Sequence, residues 1–280
     1  MKKGPILIIF GLFIYVAGCT QNNKPEIRDD FKNYYEEFQV KGSFALYDQN
    51  EERYILYNET QFRKPFIPAS TFKIYNSLIG LETGVISDEN FIIPWDGLSR
   101  NPVWDKDHDL KSAFKNSTVW YYQELARRVG GTQMKMWLDR INYGNQDTTG
   151  GIDKFWLEGG LRITPEQQIV LLRQLFANQL PFSARSMEIV KGIMIEADTA
   201  DHVLRSKTGW GTQSDTDIGW YVGYVETKDN VYYFSNCVQS PGQSNNRIED
   251  AIRFDKSRKE ITYRILDDLN IIQTGGSQIH

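Results

Sequence analysis

The sequence predicts an α/β protein of the α+β type: an antiparallel sheet built from the N- and C-terminal segments, flanked by helices, with an all-helical lobe inserted between them. Three observations carry this. Alternating apolar and polar residues mark both ends of the chain, helical periodicity fills the middle, and an amphipathic run follows the last strand pattern. With 280 residues, 40% of them hydrophobic and 13% aromatic, the chain can bury a core large enough for one big domain or two lobes with a cleft between them. A net charge of -4 with scattered basic residues gives no footprint for nucleic acid, and none is expected as a partner.

The chain opens "MKKGPILIIFGLFIYVAGCTQNNK", with Lys2 and Lys3 ahead of an apolar run from about Ile6 to Val16. That run is shorter than the roughly 18 to 20 residues a spanning helix needs, so residues 1–18 read as an export signal. "VAGC" resembles the lipobox of bacterial lipoproteins, which implies lipidation of Cys19 and an exported bacterial protein, periplasmic or membrane-anchored. Cys237 is then the only remaining thiol, and no intrachain disulfide is expected. Residues 19–30 are polar and without period, as a tether would be, and the folded body is expected over 31–280.

Within that body the sheet lobe is expected over about 31–69 and 196–275, and the helical lobe over about 70–195. "GSFALYDQNEERYILYNE" predicts a hairpin of Ser43–Tyr47 and Arg53–Tyr57 around a polar turn. Helices follow in "STFKIYNSLIGLETG", closed by Gly84, in "TVWYYQELARRVG", closed by Gly130, and in "TPEQQIVLLRQLFANQ", opened by Thr164 with Pro165 at its first position. After Arg205, "SKTGW", "GWYVGYVE" and "NVYYFSNCV" read as strands, the last two joined by the "TKDN" turn. Ile261, Ile265, Leu266, Leu269 and Ile272 then recur at helical spacing and predict a helix packed on the sheet.

In "PFIPASTFKIYNSLIG", Ser70 and Lys73 stand three apart as a helical pattern begins, so they share a face if the helix starts near Ser70. A hydroxyl becomes a nucleophile only beside a base, and a neutral Lys73 would serve. Taken alone, Ser70 is equally a helix cap and Lys73 a snorkelling cation. Three further short motifs have ordinary explanations as well. Ser117 to Val119 suits a cap before a helix, Tyr143, Gly144 and Asn145 suit a turn, and Lys207, Thr208 and Gly209 suit the opening of a strand. His108, His202 and His280 have no ligand spacing, and no metal is expected.

Taken in order, Ser70-x-x-Lys73, Ser117-x-Val119, Tyr143-Gly144-Asn145 and Lys207-Thr208-Gly209 form the pattern of serine penicillin-recognising proteins. Together with "PASTFK", "WDKDHDLKSAFKNS" and "FWLEGGLRIT", they resemble the class D, oxacillinase-type β-lactamases from about Phe31 to Ile272. Tyr75 departs from that family, which more often has a small residue or proline there.

The resemblance implies a penicillin-binding transpeptidase-like fold and hydrolysis of penicillins and oxacillin-type β-lactams, conferring resistance. Ser70 would form an acyl-enzyme. Lys73, carboxylated by carbon dioxide or bicarbonate, would be the general base for acylation and deacylation, with no dissociable cofactor. Trp156 would hydrogen-bond that carbamate through its indole N–H, a donor with no acceptor role. Ser117 would relay protons, Lys207 would place a cation near the substrate carboxylate, and Thr208 would donate a hydrogen bond. Val119, Gly209 and Trp210 would line the substrate site, and the backbone N–H groups of Ser70 and Trp210 would form the oxyanion hole. Tyr143, Gly144 and Asn145 would be structural. The family's C-terminal helix places Arg258 at the carboxylate position, with Arg253 and Arg247 nearby as alternatives.

Other readings of the same residues are a β-lactam sensor domain that is acylated once, a cell-wall D-Ala-D-Ala peptidase, and an inactive structural lipoprotein. A second membrane segment, absent from this pattern, would point to the sensor, and turnover of peptide but not penicillin to the peptidase. The sequence leaves a homodimer open.

Overall fold

The computed structural model describes residues 24–240 and 247–273. The expected signal at 1–18, Cys19 and His280 lie outside them. Seven strands form one sheet in the order β1-β3-β2-β7-β6-β5-β4. The predicted hairpin is β2 (Lys41–Asp48) and β3 (Arg53–Tyr57), antiparallel with Asp48 opposite Arg53. Its turn is held by the Asp48 carboxylate, which accepts from the N–H groups of Asn50 and Glu51 at 3.0 and 3.1 Å. The C-terminal meander is β5 (His202–Gln213), β6 (Thr216–Thr227) and β7 (Val231–Gln239), and β7 returns antiparallel to β2. Both ends of the chain thus build one sheet.

Three expectations shift. Folding starts before Phe31: β1 (Glu26–Ile27) pairs parallel with β3, and the Arg28 guanidinium grips Asp30 and Asp268 at 2.6 and 2.7 Å. The last part of the expected tether is therefore tied to the body. Lys207-Thr208-Gly209 does not open a strand but lies inside β5, because "HVLRS" ahead of it pairs with β6 from His202 opposite Thr227 to Ser206 opposite Gly223. A short edge strand, β4 (Ile195–Asp198), completes this side.

The third shift concerns α7 (Pro165–Phe176), which lies on the sheet instead of in the inserted lobe. Its Arg173 sits 3.7 Å over the Tyr47 ring, and Phe176 packs edge-on against Tyr224 and Tyr233. Its start is as predicted. The Thr164 hydroxyl accepts from Gln167 N–H at 3.0 Å while the Gln167 side chain accepts from Thr164 N–H at 3.1 Å, a reciprocal cap contributing about 1 kcal/mol.

Alternation along the strands sends residues to two cores. Phe44 and Leu46 join the cluster under α1 (Lys32–Glu37) and α9 (Ile248–Asp268), whereas Ala45 and Tyr47 face the cluster shared with α7 and the helical lobe. α9 is longer than predicted and ends before Leu269 and Ile272. After the single turn α2 (Glu59–Phe62), the lobe itself contains α3 (Lys73–Glu82), α4 (Leu110–Lys115), α5 (Val119–Val129), α6 (Gly131–Arg140) and α8 (Ala184–Ile193). Gly84 and Gly130 follow α3 and α5 with φ of 71° and 80°, the left-handed stop the sequence predicts.

Candidate active site

Ser70 lies in a 3-10 turn, Ala69–Phe72, that leads directly into α3. Lys73 Nζ donates to Ser70 Oγ at 2.7 Å, so the pair meets across the first helical turn as the spacing requires. Lys73 is fully buried. Burial, and secondarily the charge of Lys207, hold its amine well below the ordinary lysine value, which favours the neutral form that can take the hydroxyl proton. Ser77 Oγ donates to the Lys73 carbonyl at 2.7 Å and meets Tyr122 Oη at 2.9 Å, latching α3 to α5.

The turn is over-determined. Ala69 has φ of 48°, a left-handed backbone costing a non-glycine residue about 1 to 3 kcal/mol. Its N–H donates to the Trp156 carbonyl at 3.0 Å. Thr71 Oγ1 donates to the Pro68 carbonyl and accepts from Gln168 Nε2, both at 2.8 Å. Ile67 is held at both polar atoms: its N–H donates to Gln213 Oε1 at 2.8 Å, and its carbonyl accepts from Trp220 Nε1 at 2.9 Å. The sequence reading missed Gln168, Gln213 and Trp220, whose positions relative to Ser70 depend on folding and leave no local signal.

Gly209 and Gly211 let β5 approach this turn. A Cβ on Gly209 would lie 3.0 Å from the Pro68 carbonyl oxygen, and one on Gly211 would lie 3.2 Å from Ala69 Cβ. Trp210 stands between them, so its backbone runs beside Ser70. Lys207 is almost entirely buried, its Nζ donating to the Thr208 carbonyl at 3.1 Å. Burial, then Arg258 and Lys259, push its amine down to about 7 against the opposing pull of Glu196.

Ser117, with φ of 54°, lies on the link between α4 and α5, just before Val119 opens α5. On one side of it in the chain is Phe114, whose ring lies 5.5 Å from Lys207 Nζ, and on the other Tyr122, whose ring lies 5.3 Å from Lys73 Nζ. The link therefore spans the two lysines.

Trp156 is fully buried, packed against Phe72 and Phe155, and its Nε1 has no hydrogen-bond partner among the described residues. A buried N–H left unpaired is costly, so this donor is open to an acceptor. Tyr143, Gly144 and Asn145 secure the loop that carries it. Tyr143 packs on Phe72 and Tyr75, and Asn145 Nδ2 donates to the Gly160 carbonyl at 2.9 Å while its Oδ1 accepts from Arg162 N–H at 2.9 Å. Gly144, with φ of 53°, leaves room for the Arg162 carbonyl, which any Cβ would overlap.

Of the three arginines weighed, the structure puts Arg258 against β5. Its Nη1 donates to the Gly209 carbonyl at 3.0 Å, its guanidinium lies 5.6 Å from the Trp210 ring and pairs with Asp255, and burial lowers its pKa to about 10. Arg247 and Arg253 both pair with Asp250 instead. Among the described residues no three His, Cys, Asp or Glu side chains gather as a metal site would require.

Comparison with known proteins agrees with this geometry. The family of the penicillin binding protein transpeptidase domain matches residues 29–266. Beta-lactamase OXA-48 of Klebsiella pneumoniae is 40% identical over 246 residues, 88% of this chain and 91% of its own. The crystal structure of the class D β-lactamase YbXI from Nostoc is 42% identical with a TM-score of 0.80, covering 86% of this chain and 99% of that one. The C-terminal domain of the BlaR penicillin receptor of Bacillus licheniformis is 32% identical with a TM-score of 0.81, covering 90% of this chain and 98% of that one. Likeness this high over nearly the whole length of each partner is kinship, and the chain belongs to the class D serine β-lactamases.

Proposed function

We propose that the protein hydrolyses penicillins and oxacillin-type β-lactams through an acyl-enzyme on Ser70, and so confers β-lactam resistance. Ser70 Oγ attacks the lactam carbonyl and the ring C–N bond breaks, its nitrogen taking up a proton through Ser117. Water then cleaves the ester and restores the serine. Arg258, Lys207 and Thr208 receive the substrate carboxylate, Val119 and Trp210 flank the acyl group, and the N–H groups of Ser70 and Trp210 hold the oxyanion. Each such donor is worth about 100-fold to 1000-fold in rate.

Lys73 is proposed to react with carbon dioxide, the neutral amine losing a proton as the N–C bond forms. The resulting carbamate supplies an anionic base for both steps. The observation that carries this is the Trp156 Nε1, unpartnered among the described residues, on a ring packed against Phe72, the residue before Lys73. A benzylpenicillin time course with and without bicarbonate, followed by intact-mass analysis, tests it. Multiple turnovers that rise with bicarbonate and leave no lasting adduct support the proposal, and full activity at low pH without carbon dioxide counts against it.

A second reading, a sensor acylated once, draws on the likeness to the BlaR receptor domain. A stoichiometric, persistent adduct would favour it. Export through residues 1–18 and lipidation at Cys19 are also proposed, resting on "VAGC". No described helix is long and apolar enough to cross a membrane. Radiolabelled palmitate incorporation, lost in Cys19→Ser, would check the anchor.

A further inference from the structure

A second cleft, of about 560 Å³, opens beside Lys207. α4 contributes Lys111, Phe114 and Lys115 to its wall, α9 contributes Lys259, and the strands contribute Glu196, Lys207 and Thr208, the last two shared with the substrate site proposed above; Ser70, Lys73 and Ser117 take no part. The volume suits a small organic molecule, for which sites run roughly 300 to 1000 Å³.

Its charge is one-sided, four lysines facing one glutamate. That glutamate is already satisfied. Lys259 and Tyr263 donate to one Glu196 oxygen, and Ser206 and Tyr221 donate to the other. Lys111 and Lys115 form no ion pair among the described residues. Lys207 is 5% exposed, and among the described residues its amine hydrogen-bonds only to Thr208 of its own strand. Exposed Lys111 and Lys115 and buried Lys207 thus border a cavity whose one carboxylate, Glu196, is already engaged by four other donors, and a buried ammonium so weakly compensated is unfavourable. The Phe114 ring gives the same cavity an apolar face.

We propose that this cleft binds a small organic anion, its apolar body against Phe114 and its carboxylate, sulfonate or phosphate head among Lys111, Lys115 and Lys207. Charge placed there favours the ammonium form of Lys207 against Arg258 and Lys259, which oppose it. Because that ammonium is also the group assigned to the substrate carboxylate, the anion acts as an effector of substrate binding. This second step rests on the proposed function; occupancy of the cleft does not.

Benzenesulfonate, whose charge is constant across the useful pH range, is the probe. Calorimetric titration at fixed ionic strength is expected to show saturable binding to one site, weakened about tenfold or more in the Lys111→Gln/Lys115→Gln double variant and not weakened in Arg258→Ala. Without the sulfonate, the double variant should keep its KM for benzylpenicillin within about twofold. At about pH 8, saturating benzenesulfonate should lower that KM by about two- to fivefold in the wild-type protein only. Absence of saturable binding overturns the site, as does binding that Arg258→Ala abolishes and the double variant retains, which would put the sulfonate in the substrate pocket. A KM that is unchanged or rises removes the effector role. Since calorimetry needs no turnover, a protein that failed to hydrolyse penicillin would still report on the cleft.

Discussion

The N–H of Ala69 donates to the carbonyl of Trp156 at 3.0 Å, so the turn that carries Ser70 and the loop that carries the indole donor are stitched backbone to backbone. The indole ring then has a fixed place beside Phe72, with its N–H left unpaired. Trp156→Phe keeps the ring packing and deletes only that donor. Deacylation should slow by about tenfold to 100-fold, the worth of a hydrogen bond to a charged group, with acyl-enzyme accumulating in intact-mass spectra and excess bicarbonate restoring part of the rate. Unchanged turnover in both conditions would sever the tryptophan from the chemistry.

Lys207 gives the unliganded protein an opposite pH response in stability and in substrate binding. Its amine sits at about 7 when folded and near 10.5 when unfolded, so between those values the unfolded chain holds the extra proton and stability rises with pH. Buried Lys73 acts in the same direction. Urea midpoints should therefore increase from about pH 6 to about pH 9, less steeply in Lys207→Met. KM for benzylpenicillin should move the other way, climbing above about pH 7 as the cation is lost.

Arg258, Arg253 on the same helix and Arg247 at its N-cap should separate cleanly. Arg258→Ala is expected to lower kcat/KM for benzylpenicillin by about tenfold to 100-fold through KM, because it would remove the charged partner proposed for the substrate carboxylate. Arg247→Ala and Arg253→Ala break exposed pairs with Asp250 and should change kcat/KM by less than about twofold. Equal effects from all three would argue for a diffuse electrostatic field instead of a single fork.

Gly144→Ala tests the support of the Trp156 loop. The new methyl group would overlap the Arg162 carbonyl in a left-handed backbone, costing about 2 kcal/mol or more in unfolding measurements. Activity should fall further than stability alone explains, because Asn145 would lose its grip on Gly160 and Arg162.

What the sequence made legible were features with local causes. Ser70 and Lys73 meet because three residues make most of one turn, and α7 begins at Thr164 because its cap is written in four consecutive residues. Gly84 and Gly130 stop helices for equally local reasons. Two residues of β1 are too few to show a period, and β4 is a strand only because β5 lies beside it. The Lys-Thr-Gly motif was found, but not its place within β5, since His202 and Arg205 interrupt the apolar pattern there. Gln168, Gln213 and Trp220 brace the Ser70 turn from distant elements, and only the folded chain brings them to it.

The pairing of β2 with β7, Lys41 opposite Gln239, has a consequence for how the protein comes into being. The N-terminal hairpin keeps one edge open until nearly the whole chain has been made, and closing so long a loop is entropically slow. The Ser70 turn leans on Gly209 and Gly211 of β5, which pairs through β6 to that same late strand β7. A nascent chain therefore carries Ser70 and Lys73 long before the strands that brace their turn exist.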